Sequence, residues 1–435
     1  MSLRDLAVLA FTLFCIAMAL RKAWWGVLAL AVFSYLNPHA YAWGPVRSLP
    51  LYQILFLVVA FKALMETDKQ PIPKDWRVPA FFFLWFYFFV TTLNSLIPSL
   101  AWPRLWFVSK IYLPFIFTLL LINTRKKLFY LIATIAASIG VVAVKGGIFA
   151  LATGFGYRIY GPPATQFEEN NAFAVAVLIN VPLLILCYRE INNGWVKKGL
   201  LVAIGLHYVS ALASWSRGAL LAMGAMTFIL IWNSKRRWIA VLALVVGMVV
   251  VVQSLPEAWF QRMHTLGTYE QDASAQGRLE AWKDGFHYAL RHPLTGAGFE
   301  GWRWVTRKDW HSSYVEMFSE HGFLAFGVWF SMLVGTFVSL SRLPKRTRGI
   351  SELKWVENYS YMVRASLVAY MVGTAFLGLS YWDLLYHLIF IAVLIKKFAL
   401  EELARYENKV HKRQAPLGDP RGPVSAGMHC MRVSP

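Results

Sequence analysis

The chain consists of long apolar runs that alternate with short polar breaks. A helix needs ~20 apolar residues to cross the roughly 30 Å hydrocarbon layer of a membrane, and most of these runs approach that length. We therefore predict an all-α, polytopic membrane protein with about 12 transmembrane helices. The predicted spans are 5–20, 23–37, 50–66, 79–98, 104–122, 128–151, 172–188, 199–213, 217–233, 237–253, 311–340, 358–378 and 381–398.

Basic residues gather in every second break between the apolar runs. Such breaks face the cytoplasm under the positive-inside rule, which leaves 152–171, 214–217 and 254–310 on the periplasmic side of a bacterial inner membrane. The first two runs are joined by Arg21 and Lys22 alone and can form a hairpin that does not fully span, so the side of the N-terminus stays open. The basic breaks are Arg125–Lys127, Lys197–Lys198, Lys235–Arg237 and Arg342–Arg348.

We predict four parts along the chain. Residues 1–253 form an N-terminal transmembrane bundle, 254–310 a periplasmic loop, 311–400 the C-terminal transmembrane helices and 401–435 a cytoplasmic tail. The tail is polar and contains Pro and Gly from about Lys409, a composition typical of disorder.

The loop contains one predicted helix, from Arg278 to Arg291. Its apolar residues recur at an amphipathic spacing, so we expect it to lie on the bilayer or to cap a cavity. His292 and Pro293 end this helix, and three glycines form the turn that leads to His311. The apolar residues are Leu279, Trp282, Phe286 and Leu290, and the glycines are Gly296, Gly298 and Gly301.

Composition supports the membrane assignment and argues against a nucleic-acid partner. Hydrophobic residues make up 57% of the chain and charged residues 15%, and the mean hydropathy of +0.48 is far above that of an ordinary soluble domain. The net charge of +20 lies in short loops rather than on one soluble face. The cysteines Cys15, Cys187 and Cys430 have neither metal-ligand nor disulfide spacing.

The sequence predicts neither a metal nor a cofactor. The i, i+4 histidine pair of a metalloprotease helix, a cysteine cluster, a Walker A loop and a dinucleotide fingerprint are all missing from it. Paired acidic residues that could hold a divalent ion are missing from the predicted outer side, apart from Glu168 and Glu169.

His311 is the candidate for acid–base chemistry. It stands where the outer loop enters the next membrane helix, so it faces water, and an imidazole exchanges protons near neutral pH. The alternative is an interfacial histidine that satisfies a helix N-terminus. Tyr314, Glu316 and Glu320 follow on the same helix, and they either orient a base or form structural pairs with loop arginines.

Two isolated arginines on the same side are candidates for binding an anion. Arg217, in S-W-S-R-G, begins a predicted helix, and Arg278 lies in the loop. A guanidinium binds phosphate oxygens in a bidentate fork, and a helix N-terminus favours negative charge. The alternatives are a boundary residue at Arg217 and a solvated one at Arg278. Arg158 and Lys145 are weaker candidates for the same anion.

Three further ionisable residues, Lys110, Arg364 and Asp383, fall within or near apolar spans. Ionisable groups are costly there and are often functional. Structural pairing is the default interpretation for these three.

Three motifs together resemble the O-antigen ligase and O-antigen polymerase superfamily. They are S-R-G at 216–218, G-R-x-x-x-W at 277–282 and H-S-x-Y-x-E-x-x-x-E-x-G at 311–322. The segment Asn37–His39, N-P-H, resembles the O-glycosylation ligase branch of that superfamily. The motifs cover about residues 158–330, whereas the first 150 residues match in hydropathy and in that short segment alone.

The resemblance implies a metal-independent glycosyltransferase that takes a glycan from undecaprenyl pyrophosphate on the periplasmic side. It implies that His311 is the base that activates the acceptor hydroxyl and that Arg217 and Arg278 bind the pyrophosphate leaving group. Arg158 and Lys145 would be further phosphate contacts. Fixed cationic donors can stabilise the charge that develops on phosphate oxygens without a metal ion.

The preferred function is O-antigen ligase, with a lipid A core sugar as acceptor. A protein O-glycosylation ligase, whose acceptor is a protein hydroxyl, and an O-antigen polymerase, whose acceptor is a second lipid-linked glycan, are alternatives within the superfamily. A lipid-linked oligosaccharide flippase would place ionisable groups along the membrane midplane and show internal repeats, which the sequence does not.

Overall fold

The computed structural model describes residues 2–232, 234, 237–264 and 273–414. It is 79% helix and contains no strand in these residues, which confirms the all-α class. The helices are α1 (Leu3–Arg21), α2 (Ala23–Tyr35), α3 (Leu51–Met65), α4 (Arg77–Leu93), α5 (Pro98–Tyr112), α6 (Pro114–Leu121), α7 (Arg125–Ala152), α8 (Asn170–Glu190), α9 (Gly194–Ala213), α10 (Arg217–Trp232), α11 (Arg237–Val252), α12 (Glu257–His264), α13 (Ala273–Arg291), α14 (Trp302–Val305), α15 (Ser313–Arg346), α16 (Lys354–Gly373) and α17 (Asp383–Gln414). Short 3-10 turns are Pro38–Tyr41, Pro45–Ser48, Ser351–Leu353 and Thr374–Phe376.

Several helices are suited to cross a membrane. In the described part of the chain, 6 helices are long and apolar enough by length and composition, and shorter apolar helices of 10–17 residues accompany them. This agrees with the predicted multi-pass membrane protein. It does not confirm the predicted number of about 12 crossings. The longer helices are Leu3–Arg21, Pro98–Leu121, Arg125–Ala152, Asn170–Glu190, Gly194–Ala213 and Ser313–Arg346.

Two predicted spans depart from one regular helix in the structure. The span 104–122 corresponds to Pro98–Leu121, where Pro114 has no N–H and one helix hydrogen bond is lost between α5 and α6. Leu113 between them keeps right-handed helical angles, with φ of −53° and ψ of −44°. The span predicted from 311 begins at Ser313 and is broken at Gly322, whose φ is 76°. A Cβ at Gly322 would lie 2.4 Å from the Pro293 carbonyl oxygen, so this position requires glycine.

The first part of the predicted tail is helical. α17 continues to Gln414, so residues 401–414 are ordered as helix instead of disordered as predicted. This stretch is rich in good helix formers, and Glu402 accepts a hydrogen bond of 2.8 Å from the Trp355 indole on α16. Residues 415–435 lie outside the described residues.

The loops with candidate chemistry lie together at one end of the bundle, which we call the loop end. Contacts across it join Leu96 to Ala297 (3.0 Å between backbone N and O), and the Asn170 side chain to the Ser214 carbonyl (2.7 Å). The loop end comprises 94–97, 153–169, 214–216, 253–264, 292–312 and 374–382.

The start of α1 belongs to the loop end as well. Asp5 accepts a hydrogen bond of 2.9 Å from the Gly44 backbone N–H, and Asn37 in the same connection donates to the Pro163 carbonyl at 2.9 Å. The sequence left the side of the N-terminus open, and these contacts resolve it relative to the bundle.

The opposite end carries the basic breaks, and we call it the basic end. Here Asp75 is buried between α4 and α17. Its carboxylate takes two hydrogen bonds from Arg77, at 2.7 and 2.9 Å, and one of 2.9 Å from Lys396. Burial by itself raises the pKa of Asp75, but the hydrogen bonds and charge of Arg77, with Lys396, outweigh burial and hold that pKa well below its ordinary value. The Asp75 and Arg77 side chains are 4% and 1% exposed, so water cannot solvate either charge if its partner is removed.

We expect Asp75→Asn to destabilise the fold by about 3–5 kcal/mol, because it leaves a buried guanidinium uncompensated. The matched control is Asp68→Asn in the same connection, which removes the ion pair between Asp68 and Lys127. Because the Asp68 side chain is 64% exposed, this substitution should cost at most about 1 kcal/mol. Thermal unfolding in detergent measures both. Equal losses in the two variants would contradict this assignment.

The stability that Asp75 contributes should also depend on pH, because its pKa is lower in the folded protein than in the unfolded chain. This stabilisation is present above the pKa of the unfolded chain and is lost as pH falls toward the folded pKa.

Candidate functional site

Arg217 is held at the first position of α10 by a serine-capped turn. Ser216 Oγ accepts a hydrogen bond of 3.2 Å from the Ala219 backbone N–H, as an N-cap serine does. Ser214 Oγ accepts from the Ser216 N–H at 3.2 Å, and Trp215 between them has a φ of 59°. The predicted helix start is confirmed. Arg217 is half-buried and stands at the positive end of the α10 dipole. An anion there would be stabilised by the guanidinium and by the helix dipole.

Two further arginines converge on Trp215, two residues before Arg217. The guanidinium of Arg158 lies 5.6 Å from the centroid of the Trp215 ring, and Arg262 Nε donates a hydrogen bond of 3.0 Å to the Trp215 carbonyl. Arg262 belongs to α12, a helix that the sequence analysis did not predict. The turn before Arg217 is therefore surrounded by cationic side chains from three segments.

Lys145 lies on α7 beside the Arg158 segment. Its neighbour Gly146 packs on Ile159, because an added Cβ would lie 2.7 Å from Ile159 Cγ2. The Lys145 side chain itself is exposed. The two weaker anion candidates thus belong to segments in direct contact.

His311 lies in the irregular segment before α15, with a φ of 44°. Its backbone N–H donates to Asp309 Oδ1 at 3.1 Å, and its Nδ1 is 4.0 Å from Asp309 Oδ2. The imidazole is 44% exposed. Within the described residues, no backbone N–H of α15 donates to this ring, and Ser312 occupies the N-cap position. Asp309, which the sequence analysis did not single out, is the carboxylate next to the candidate base.

Trp282 of α13 joins the His311 segment to the start of α10. Its indole N–H donates a hydrogen bond of 2.6 Å to the carbonyl of Trp310, the residue before His311. Its ring lies 6.2 Å from that of Phe376. Phe376 in turn packs against Gly218, where an added Cβ would meet the Phe376 Cβ at 3.5 Å.

Arg278 lies one helical turn before Trp282 on α13. Residues four apart share a helix face, so the half-buried guanidinium of Arg278 is on the Trp282 side of α13. The indole of Trp282 contacts Trp310, which precedes His311. It also contacts Phe376, which packs against Gly218, the residue after Arg217. The structure therefore brings the segments of all three main candidates to one place.

A row of small residues on α13 packs on the protein. Ala281, Gly285 and Ala289 are buried at four-residue intervals, and a Cβ at Gly285 would lie 2.5 Å from both Trp310 Cζ3 and Ser319 Oγ. Small residues allow two helices to approach closely. The large apolar residues Leu279, Phe286 and Leu290 are 45%, 44% and 55% exposed, which fits a helix that rests on a bilayer.

An ion pair at the surface also ties α13 to the segment before His311. Lys308 Nζ lies 2.8 Å from Glu280 Oε2, and the hydrogen bond and charge of Lys308 lower the pKa of Glu280. Both side chains are more than half exposed, so this pair contributes little to stability.

Tyr314 and Glu316, the candidates for orienting a base, contact other groups. The Tyr314 hydroxyl donates to the Met371 carbonyl at 2.8 Å. Glu316 Oε2 accepts hydrogen bonds from Ser380, at 2.6 Å from the hydroxyl and 3.1 Å from the backbone N–H. The first contact joins α15 to α16 and the second joins it to the α16–α17 connection, and neither involves His311.

Glu320 fastens the glycine turn to α15. Its Oε1 accepts from the Glu300 N–H at 2.9 Å, its Oε2 from the Tyr381 hydroxyl at 2.7 Å, and its backbone carbonyl from the Gly298 N–H at 2.8 Å. A Cβ at Gly296 would lie 2.5 Å from the Glu320 carbonyl carbon, and the φ of Gly296 is 59°. The predicted glycine turn is thus confirmed at Gly296 and Gly298.

Arg104 of α5 is a cation at the loop end that the sequence analysis missed. Its guanidinium lies 6.0 Å from the centroid of the Tyr381 ring, and it interacts electrostatically with Glu316 and Glu320. Its position in a predicted membrane span, far along the chain from the motifs, gave no signal for this role.

The acidic pair Glu168 and Glu169 is engaged in local capping. Glu168 Oε2 accepts from the Ala164 N–H at 2.8 Å, and Glu169 Oε2 accepts from the first N–H groups of α8 at 3.0 and 3.1 Å. Among the described residues, no group of three or more His, Cys, Asp and Glu side chains is placed to hold a metal ion. The predicted lack of a metal requirement stays a prediction.

Of the buried ionisable residues, Arg364 donates a hydrogen bond of 3.1 Å to Ser341 on α15. Asp383 accepts one from Ser34 on α2. Lys110 is half-buried on α5. Arg364 and Asp383 thus each have a structural contact with a serine hydroxyl.

The three main candidate residues lie in a part of the chain that matches a protein-family model. Residues 200–330, which contain Arg217, Arg278 and His311, match a family model described as O-antigen ligase. Residues 3–192, which contain Lys145 and Arg158, match a model of a family of unknown function. No curated protein matches the chain.

We expect Gly285→Ala to lower the thermal midpoint and Gly277→Ala on the same helix to leave it unchanged or raise it. The added methyl at Gly285 collides with Trp310 and Ser319, which costs about 1–3 kcal/mol, whereas at Gly277 it lies 3.4 Å from the flexible end of Lys308. Thermal unfolding of the two variants in the same detergent is the measurement. A Gly285→Ala protein as stable as Gly277→Ala would mean that α13 does not pack closely on α15.

Proposed function

We propose that this chain, a member of the O-antigen ligase superfamily, is an O-antigen ligase that transfers a glycan from undecaprenyl pyrophosphate to a sugar hydroxyl of the lipid A core. The family match supports a glycosyltransferase-like ligase or polymerase. The observation that carries the finer proposal is the meeting of the Arg217, Arg278 and His311 segments around Trp282.

His311 is proposed as the general base. Its Nδ1 side lies near the Asp309 carboxylate, which can stabilise an imidazolium and leaves Nε2 to take the acceptor proton. The deprotonated hydroxyl oxygen then bonds to the anomeric carbon of the glycan, and the bond from that carbon to the pyrophosphate oxygen breaks.

Arg217 and Arg278 are proposed to bind the departing pyrophosphate. Negative charge accumulates on its oxygens as the glycosidic bond to phosphate breaks, and fixed guanidinium groups stabilise that charge in the transition state. The start of α10 adds the positive end of a helix dipole at Arg217. Arg158 and Lys145 are proposed as outer contacts of the same anion.

The proposed setting is the bacterial inner membrane, with the loop end facing the periplasm. Basic residues at the opposite end support this orientation through the positive-inside rule. The exposed apolar residues of α13 support contact of the loop with lipid beside the site.

The acceptor separates the alternatives within the superfamily. A protein O-glycosylation ligase offers the same base a Ser, Thr or Tyr hydroxyl, and a polymerase offers a sugar of a second lipid-linked glycan. The test supplies the donor to purified protein in detergent with lipid A core, protein or lipid-linked glycan acceptors in parallel, with EDTA in every reaction.

The expected result is a new glycosidic bond on the lipid A core in EDTA. A product on protein or on lipid-linked glycan alone would replace the ligase proposal with the corresponding alternative. Activity that needs added Mg²⁺ or Mn²⁺ would contradict the metal-independent mechanism. No product with any acceptor, together with donor movement across reconstituted vesicles, would indicate a flippase.

We expect His311→Ala to reduce transfer by about 10²–10⁴-fold while donor binding is retained, because the residue acts on the acceptor proton. His292→Ala, an exposed histidine of the same loop, is the control and should keep wild-type transfer. Initial rates and donor binding are measured at matched amounts of folded protein. Transfer near the wild-type rate by His311→Ala would remove this residue from the chemistry.

We expect Arg217→Lys and Arg278→Lys each to lower the transfer rate by about 10²-fold although both keep the charge, because lysine cannot donate two parallel hydrogen bonds to phosphate. Arg303→Lys, at a surface arginine that pairs with Glu300 at 3.2 Å, is the control. Donor titrations at equal expression give rate and donor dependence. If both lysine variants keep wild-type kinetics, a bidentate clamp is excluded.

A further inference from the structure

Asp383 forms a buried polar cluster with residues of α2. Its carboxylate Oδ2 accepts a hydrogen bond from Ser34, and the neighbouring Tyr35 hydroxyl lies 2.6 Å from His387 Nδ1. Asp383 is 4% exposed and His387 is 8% exposed. Asp383 and His387 occupy successive turns of α17, so the cluster joins α2 to the first two turns of α17.

The Asp383 carboxylate is only half satisfied by these contacts. Its Oδ1 is buried and has no hydrogen-bond partner. Within the described residues, no Lys or Arg side chain forms an ion pair with it. A buried carboxylate without a compensating charge is costly, so either a proton or a bound cation must neutralise it.

A small cavity adjoins this carboxylate. Asp383, Ser34, Tyr52 and Thr118 line it with oxygen-bearing side chains, and His387 and apolar residues complete the wall. Tyr52 also interacts electrostatically with Asp383. Oxygen donors around a confined space are the ligands that hard cations prefer.

Charge balance and helix position narrow the choice of cation. Asp383 supplies the one carboxylate among the lining residues, which neutralises a single positive charge. Asp383 is also the first residue of α17, where the positive end of the helix dipole adds one contribution in favour of an ionised carboxylate. The small cavity favours the smaller of the common monovalent cations.

We propose that Asp383, with Ser34, Tyr52 and Thr118, binds one Na⁺ ion between α2, α3, α6 and α17. The ion neutralises the buried carboxylate and links the N-terminal helices to α17. The role proposed for the ion is structural, and no step of the transfer reaction is assigned to it.

The test is binding of radioactive ²²Na⁺ to the purified full chain in detergent, at constant ionic strength maintained with choline chloride. The expected result is saturable binding of one ion per chain, displaced by unlabelled Na⁺ and not by choline. The thermal midpoint of the wild-type protein should rise with Na⁺ concentration, since a ligand of the folded state stabilises it.

Asp383→Asn should abolish ²²Na⁺ binding. Ser34→Ala, which removes the hydroxyl bonded to the ligating carboxylate, should weaken it by about tenfold. The matched control is Asp5→Asn. Asp5 is a buried acid whose two oxygens already accept hydrogen bonds from Gly44 and Ser2, so its variant should bind Na⁺ as the wild type does.

Three results would overturn the proposal. One is a wild-type protein without saturable Na⁺ binding and with a thermal midpoint independent of Na⁺, in which case a proton neutralises Asp383. The second is unchanged affinity in folded Asp383→Asn, or in Ser34→Ala should Asp383→Asn fail to fold. The third is equal loss of binding in Asp5→Asn.

Discussion

The arrangement of the loop end depends on the indole of Trp282. The helix that carries it, α13, buries small residues against α15 and leaves its large apolar residues about half exposed, although Phe286 contacts the Phe318 and Phe323 rings. The Trp282 N–H bond to the Trp310 carbonyl, at 2.6 Å, and the contact with Phe376 supply what the small residues do not. Loss of that N–H would leave a carbonyl unsatisfied, at a cost of about 1–3 kcal/mol. His311 and the start of α10 are positioned through the same side chain.

A second constraint comes from the acids of α15. Glu316 and Glu320 accept hydrogen bonds from Ser380, Tyr381 and the Glu300 backbone, and so hold two loops against one helix. These hydrogen bonds engage both acids in the framework, whereas the imidazole of His311 is 44% exposed beside the loop. The acids therefore hold the loops in place, and the exposed imidazole of His311 is accessible to a substrate.

The sequence predicted the helical membrane architecture, the helix start at Arg217, the amphipathic helix ending at Arg291 and the glycine turn, because each depends on local periodicity, capping or backbone freedom. It did not predict the partners of Glu316 and Tyr314, which lie more than fifty residues away along the chain. Arg104 and Arg262 were missed for the same reason, since only tertiary contacts bring them to the loop end. The hydrogen bond missing between α5 and α6 had a local signal in Pro114, which the hydropathy pattern did not reveal.

The central claim is that one site at the loop end holds the pyrophosphate and the reacting sugar together. A structure by electron cryomicroscopy with a donor analogue, in which a phosphonate carbon replaces the anomeric oxygen, tests it most directly. The account predicts pyrophosphate density in contact with both Arg217 and Arg278, and the anomeric carbon on the His311 side. Pyrophosphate bound away from these arginines, or an anomeric carbon out of reach of an acceptor activated by His311, would contradict it.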